Sequence, residues 1–144
     1  MSRIHVHPLR VRFAECDPQG IVFNSRYLEY FDVAITEFWR DTVGPYDAAT
    51  EANDVELVVA EAGIRYLSSL RFDDEFELQT TIARLGTTSI TTSIAVVRGS
   101  AVVAEGELRH VFLDREAGSK TAIPAPVRAA FEPYLKAGEE SPHT

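Results

Sequence analysis

A carboxylate ahead of a long helix is the feature of this sequence best suited to chemistry. Asp17 stands in a short loop where Pro18 and Gly20 let the chain double back. We expect this loop to hold Asp17 close to the amino end of the following helix, where unpaired main-chain N–H groups polarise a bound carbonyl. An ionised carboxylate there could act as a general base on water or attack directly as a nucleophile. These parts suggest acyl transfer to water, although an Asp-Pro turn before a helix is often purely structural.

The helix that follows is predicted over residues 24–41. Asn24 or Ser25 can cap its start, and Gly44 and Pro45 follow its end. Its apolar residues recur at helical spacing over a wide arc, which indicates a mostly buried helix. These residues are Tyr27, Leu28, Tyr30, Phe31, Ala34, Ile35, Phe38 and Trp39.

Most of the remaining chain has strand patterns, which cover residues 4–13, 55–70, 75–82, 89–97 and 101–113. A polar connection with room for a helical turn covers 46–54, and a second helix is predicted over 127–136. Pro8 indicates an edge strand, and Gly63 indicates a bulge or a close backbone approach. One strand, a long helix and four further strands predict an α+β fold. The economical arrangement is a curved antiparallel sheet wrapped around the long helix.

Length and composition limit the classes of protein that this chain can form. Its 144 residues fit one domain, which we assign to residues 1–137, with a flexible tail at 138–144. A net charge of −8 disfavours attraction to nucleic acid or to an anionic membrane. A single cysteine excludes a disulfide framework. The sequence has no apolar run of about 20 residues for a membrane span and no apolar stretch near its start for a signal peptide, so we expect a cytoplasmic protein.

Two stretches of the sequence carry a resemblance to a known family. Residues 11–24 read Val-Arg-Phe-Ala-Glu-Cys-Asp-Pro-Gln-Gly-Ile-Val-Phe-Asn, and residues 27–32 read Tyr-Leu-Glu-Tyr-Phe-Asp. This order resembles the signature of the hotdog-fold acyl-CoA thioesterases, most closely the 4-hydroxybenzoyl-CoA thioesterase branch. Residues 66–74 and the later strand order fit the same family, so the resemblance covers most of the chain.

The resemblance implies roles for two residues and an assembly. Asp17 becomes the catalytic carboxylate, and the main-chain N–H near Asn24 polarises the thioester carbonyl. Sites of the family lie between two subunits, which implies a homodimer, often paired into a homotetramer. Coenzyme A then lies along the sheet of the neighbouring subunit, as part of the substrate. No separate cofactor and no metal ion are expected.

Further residues are candidates for binding an acyl-CoA. The acyl group would lie beside the helix and accept an aryl or medium-length chain, although the same side chains could simply form the core. The lining residues are Gly20, Ile21, Val22, Phe23 and Tyr27.

The strands supply a second group of candidates. Glu61 and Gly63 lie on the strand that would face the partner's helix end, where a carboxylate could aid catalysis and a glycine could allow close approach to the thioester. Arg84, Thr88 and Ser89 could meet the phosphates or pantetheine of coenzyme A. The structural alternatives are that Glu61 is a polar interface residue and that Thr88 belongs to a Thr-rich exposed strand.

Two other functions stay open. The same fold could hydrolyse thioesters of acyl carrier protein, provided that arginines cluster at the pocket mouth. It could instead bind acyl-CoA without cleaving it. Dehydratase chemistry is disfavoured because it needs a pocket histidine, and neither the loop nor the helix contains one. Cys16 has no nearby histidine, so a thiol nucleophile is also disfavoured.

Overall fold

The computed structural model describes residues 2–136 and contains five strands and three α-helices in that range. The helices are α1 (Arg26–Thr42), α2 (Tyr46–Ala52) and α3 (Ala125–Phe131). The strands are β1 (His5–Arg10), β2 (Val55–Tyr66), β3 (Glu75–Leu85), β4 (Ser89–Arg98) and β5 (Ala101–Asp114). Short 3₁₀ turns cover Phe13–Glu15 and Glu132–Tyr134. The predicted tail at 138–144 lies outside the described residues.

The strands form one antiparallel sheet in the order β1-β3-β4-β5-β2. The α+β prediction is therefore confirmed. β1 lies at one edge, as Pro8 indicated, because proline cannot donate a hydrogen bond to a second neighbour. β2 is the other edge, and in the described chain it pairs on one side only, with β5.

The core lies between α1 and one face of the sheet. α1 has 17 residues and buries the side chains Tyr27, Tyr30, Phe31, Ala34, Ile35, Phe38 and Trp39. β3 meets it with alternate residues, of which Leu78 and Ile82 are fully buried. Each strand thus has an inner face toward α1 and an outer face away from it.

A glycine lets the sheet approach α1 closely. A Cβ added to Gly106 would overlap the carbonyl oxygen of Gly63 and lie 2.7 Å from Cε2 of Phe31. A Cβ at Gly63 would meet nothing within 4 Å. The close approach predicted for Gly63 therefore occurs at Gly106, and the β2 bulge lies between Val59 and Glu61 rather than at Gly63.

Two strands, β1 and β2, end earlier than the sequence predicts, for local reasons. β1 stops at Arg10 rather than residue 13, because the carboxylate of Glu15 takes the main-chain N–H of Arg12 at 2.8 Å and the chain turns. β2 stops at Tyr66 rather than residue 70. Beyond it, the N–H groups of the next two residues both donate to the carbonyl of Val103, at 2.9 and 3.0 Å.

The helices also differ at their ends. α1 begins at Arg26, two residues later than predicted, with Ser25 as its N-cap. α3 begins at Ala125 and ends at Phe131, where the predicted helix continued to residue 136. Pro133 has no N–H to continue the helical pattern, and the chain passes into a 3₁₀ turn. The connection at 46–54 contains a two-turn helix, α2.

Candidate active site

Asp17 begins a tight turn at the tip of a small hairpin formed by residues 16–22. Cys16 and Val22 pair as an isolated antiparallel bridge. The N–H of Asp17 donates to the carbonyl of Ile21 at 2.8 Å, and the N–H of Gly20 donates to the carbonyl of Asp17 at 2.9 Å. Gly20 has a φ of 82°, which only glycine adopts without strain, so it lets the chain reverse.

The side chain of Asp17 is held by its own loop. Its Oδ1 accepts the N–H of Gln19 at 2.8 Å and the N–H of Ile21 at 3.4 Å. Among the hydrogen bonds of residues 2–136, none involves its Oδ2. The side chain is partly exposed. One carboxylate oxygen is therefore fixed by the loop and the other is available to a ligand or a water molecule.

The start of α1 presents a main-chain amide next to this loop. The carbonyl of Asn24 accepts the N–H of Tyr27 at 3.3 Å and the hydroxyl of Tyr66 at 3.1 Å. The N–H of Asn24 donates to no group in the described chain, and Asn24 is exposed. Such an N–H can donate a hydrogen bond to the carbonyl oxygen of a ligand, which is the role that the family resemblance implied for this position.

The predicted acyl-lining residues divide into two groups. Gly20 and Phe23 are exposed, and Ile21 is partly exposed, so these three can meet a ligand. Val22 and Tyr27 are 5% and 3% exposed and belong to the core. The ring of Tyr27 packs edge-on against Tyr66 instead, with centroids 5.3 Å apart. Val22 and Tyr27 therefore do not line an open pocket in the chain as described.

Glu61 and Gly63 point away from α1. Glu61 pairs in register with Arg109, and its Oε1 lies 3.4 Å from Nε of Arg109 on the outer face. Gly63 is on the same face, two residues along the strand, while Tyr66 lies on the inner face beside Asn24. The described chain does not bring Glu61 together with Asp17, and a catalytic role for Glu61 stays a prediction.

The candidates for binding coenzyme A lie at the far end of the sheet. Arg10, near the Asp17 hairpin, pairs with Glu75 at the start of β3. Arg84 is close to the end of this 11-residue strand, and Ser89 begins the next one. At about 3.3 Å per residue, the two ends of β3 are about 30 Å apart. One bound molecule cannot connect Arg84, Thr88 or Ser89 with Asp17 of the same chain unless it is fully extended.

A buried carboxylate that the sequence analysis did not single out lies at the base of the Asp17 hairpin. Glu15 is 4% exposed, and its side chain binds Arg12 and the hydroxyl of Tyr30. Burial alone would raise the pKa of Glu15, but the hydrogen bonds from Arg12 and Tyr30 and the charge of Arg12 lower it below its ordinary value. Burial raises the pKa of Tyr30, and its bond to Glu15 raises it further. Sequence spacing carries no signal for a contact between residues 15 and 30.

Other titratable groups give no competing site. No group of three or more His, Cys, Asp or Glu side chains among residues 2–136 is arranged to hold a metal ion. His110 is buried, and burial lowers its pKa against the opposing effect of Asp32. Desolvation and the carboxylates of Glu15 and Asp17 raise the pKa of Cys16, which disfavours a thiolate nucleophile. None of the helices described here is long and apolar enough to cross a bilayer.

The order of strands, the buried α1 and the hairpin ahead of it define a protein of the hotdog class. A sequence model of the thioesterase-like superfamily matches residues 11–131, and the chain belongs to this superfamily. The resemblance found in the sequence is thereby confirmed.

Named relatives and solved structures agree with this membership. A putative esterase of Aquifex aeolicus is 32% identical over 122 residues, covering 85% of this chain and 93% of the relative. The acyl-CoA thioesterase YbgC of Haemophilus influenzae is 26% identical over 129 residues, covering 90% and 94% of the two chains. The structure of the gentisyl-coenzyme A thioesterase BH1999 superimposes with a TM-score of 0.78 at 27% identity, covering 88% of this chain and 98% of that one. These relatives support a thioester hydrolase.

Proposed function

We propose that this protein hydrolyses the thioester bond of an acyl-CoA, releasing a free acid and coenzyme A. The observation that carries the proposal is the pairing of two groups on one short stretch of chain. Within residues 2–136, Oδ2 of Asp17 accepts no hydrogen bond and stands at the tip of the hairpin, and the N–H of Asn24 donates none and lies just beyond the second arm. The relatives named as acyl-CoA and gentisyl-CoA thioesterases support the same reaction.

The reaction can proceed in either of two balanced ways. As a general base, Asp17 takes a proton from water while the water oxygen attacks the carbonyl, the C–S bond breaks, and the thiolate of coenzyme A recovers the proton. As a nucleophile, Asp17 itself attacks and expels the thiolate, and water then hydrolyses the mixed anhydride. In both, the N–H of Asn24 stabilises the negative oxygen that develops on the carbonyl.

A second copy of the chain would complete the site. The outer edge of β2 has no partner strand among residues 2–136, and Val58 and Val59 are 45% and 57% exposed, which suits pairing with the same strand of another copy. Tyr66, at one end of β2, contacts Asn24. Val55, at the other end of β2, lies at the same end of the sheet as Thr88. Two antiparallel copies of β2 would therefore carry Arg84, Thr88 and Ser89 of the second copy toward the first copy's Asn24.

The finer expectations belong to the same proposal. Exposed aromatic rings near the helix start, Phe23 and Tyr66, favour a small aryl or medium-length acyl group. The position of Gly106 against Phe31 supports a sheet that curves around α1. Pairing of dimers into a homotetramer, the absence of a separate cofactor, and a cytoplasmic location stay predictions.

An acyl-carrier-protein substrate is the second candidate. Exposed arginines lie beside the Asp17 hairpin: the side chain of Arg12 is 80% exposed, that of Arg10 is 53% exposed, and Arg71 bridges to Ile21. An acidic carrier protein would bind such a cluster by competing with Glu15 and Asp73, which pair with Arg12 and Arg10 in the described chain. Hydrolysis of one acyl group presented on both carriers decides between the candidates.

The function is tested by thiol release from a panel of esters. Benzoyl-, phenylacetyl-, hexanoyl- and acetyl-CoA would be incubated with the protein and a thiol-trapping reagent. We expect turnover of at least one aryl or medium-chain ester. Tight binding of these esters without thiol release would identify a binding module instead and refute the proposed hydrolase.

A further inference from the structure

Glu15 is a buried carboxylate that receives four hydrogen bonds. Its Oε1 accepts the main-chain N–H of Arg12 at 2.8 Å and the hydroxyl of Tyr30 at 2.7 Å. Its Oε2 accepts Nε and Nη2 of Arg12 at 2.9 and 2.7 Å. The two carboxylate oxygens thus accept four hydrogen bonds, three from Arg12, which follows β1, and one from Tyr30 of α1. Glu15 therefore joins these two parts of the fold.

The main chain of Glu15 is the base of the hairpin that carries Asp17. Its carbonyl accepts the N–H of Phe23 at 3.0 Å, directly across the hairpin. Cys16 then bridges to Val22, and Asp17 bonds to Ile21. The residue after Phe23 is Asn24. The two arms of the ladder therefore lead from Glu15 to Asp17 on one side and to Asn24 on the other.

We propose that Glu15 is a positioning residue, which holds the carboxylate of Asp17 and the amide of Asn24 in a fixed relation through its bonds to Arg12, Phe23 and Tyr30. The inference rests on the proposed hydrolase function. It adds a residue that touches neither the substrate nor the reacting atoms. Its predicted effect is on turnover rather than on binding, because the hairpin tip moves when its base is loosened.

A carboxylate at this position differs from a neutral side chain of the same shape. Glutamine could still accept the hydroxyl of Tyr30 and the N–H of Arg12 at its single carbonyl oxygen. Its amide NH₂ would then face the Arg12 guanidinium, donor against donor, so the Arg12 side chain would be released. Glu15→Gln therefore loosens the hairpin base without creating a cavity. Tyr30→Phe removes only one donor, and it tests the link to α1 separately.

The kinetic experiment compares these variants with a matched control, using whichever of benzoyl-CoA and hexanoyl-CoA the wild type hydrolyses faster. A displacement of about 1 Å in a reacting group costs about a hundredfold in rate, so we expect kcat to fall at least tenfold in Glu15→Gln, with KM within about twofold. Tyr30→Phe should lower kcat by about threefold or more. Glu29→Gln removes an exposed carboxylate of α1 that, among residues 2–136, pairs with Arg26 alone. It should keep kcat within about twofold.

A double-mutant cycle separates positioning from a general loss of structure. If Glu15 acts mainly through Asp17, adding Glu15→Gln or Tyr30→Phe to Asp17→Asn should lower the residual rate by a clearly smaller factor than it lowers the wild-type rate. Equal losses in both backgrounds, or a wild-type kcat in Glu15→Gln and Tyr30→Phe, would overturn the inference. Should Glu15→Gln not fold, Tyr30→Phe decides alone. A wild-type rate in Asp17→Asn itself would instead refute the assigned role of Asp17, so the two failures are distinguishable.

Discussion

Replacing Asp17 with asparagine removes the reactive oxygen of the proposed site and retains its shape. In the structure, Oδ1 of Asp17 holds the loop through the N–H of Gln19, and Oδ2 is the oxygen available for chemistry. The carbonyl oxygen of asparagine can occupy the Oδ1 position and keep the loop bonds. Its NH₂ group then replaces Oδ2, where it can neither take a proton from water nor attack a carbonyl.

The expected loss follows from what the carboxylate supplies. General-base catalysis contributes about 10²–10⁴ in rate, so we expect kcat of Asp17→Asn to fall at least a hundredfold, or about 2.7 kcal/mol in the activation free energy. The free energy of unfolding should change by less than about 1 kcal/mol, because the loop keeps its hydrogen bonds and the side chain is only partly buried.

The assay measures thiol release from the best ester of the panel, together with a thermal melt of each variant. Asp17→Glu is the companion variant, since it keeps the charge but moves it by one methylene. We expect its kcat to lie between those of the wild type and Asp17→Asn. A kcat of Asp17→Asn within about threefold of the wild type would refute the catalytic role of Asp17, because losing a general base should lower the rate by much more than that. A large drop in melting temperature would show that the loop argument is wrong.

Three further outcomes test the fold around the site. Gly106→Ala should destabilise the protein by about 1–3 kcal/mol in urea unfolding, because its Cβ would press on Phe31 and the neighbouring backbone. Gly63→Ala is the control, and it should cost less than about 1 kcal/mol because its Cβ would meet open space. Equal losses of stability in the two variants would contradict the close approach at Gly106. Thr80→Val should leave the free energy of unfolding unchanged or raise it by about 1 kcal/mol, because the Thr80 hydroxyl is buried and has no hydrogen-bond partner in the described chain. A loss of more than about 1 kcal/mol would show that the hydroxyl does form a hydrogen bond. Because the pKa of Glu15 is lowered on folding, its contribution to stability is present above its unfolded pKa, about 4.5, and is lost as the pH falls through its lower folded pKa. The melting temperature of Glu15→Gln should therefore fall less steeply than that of the wild type between about pH 5 and pH 3, and parallel curves would contradict the shift.

The parts of the fold that local patterns determine were predictable from the sequence. The apolar arc of α1 has a helical period over 17 residues, and β3 alternates buried and exposed residues, so each pattern had one consistent interpretation. Pro8 marked an edge strand because its missing N–H excludes a central position. Asp17 could be singled out because its loop chemistry is local, and the structure places its carboxylate in the bonds of that loop.

The parts that depend on neighbours distant in the sequence were not predictable in the same way. Gly63 and Gly106 both lie within strand patterns, and only the packing of Phe31 shows which of them needs to lack a side chain. Glu61 lies on an edge strand, and the bulge between Val59 and Glu61 changes the face to which the following residues point. A shift of one residue reverses the two faces of a strand, so a role in the site could not be assigned from spacing alone.

Glu15 shows why a sequence can reveal one residue of a site without revealing the residues that support it. Asp17 is recognised by the turn that carries it, but the strength of a catalytic carboxylate also depends on how firmly its position is held. That support comes from a side chain two residues earlier and from Tyr30 on the buried face of α1. The apolar pattern that revealed the helix treats Tyr30 as one more core residue and says nothing of its hydroxyl. The ring of Tyr30 packs against Phe76, with ring centroids 4.9 Å apart, and its hydroxyl donates to Glu15. Tyr30 therefore joins the core to the hairpin that carries Asp17.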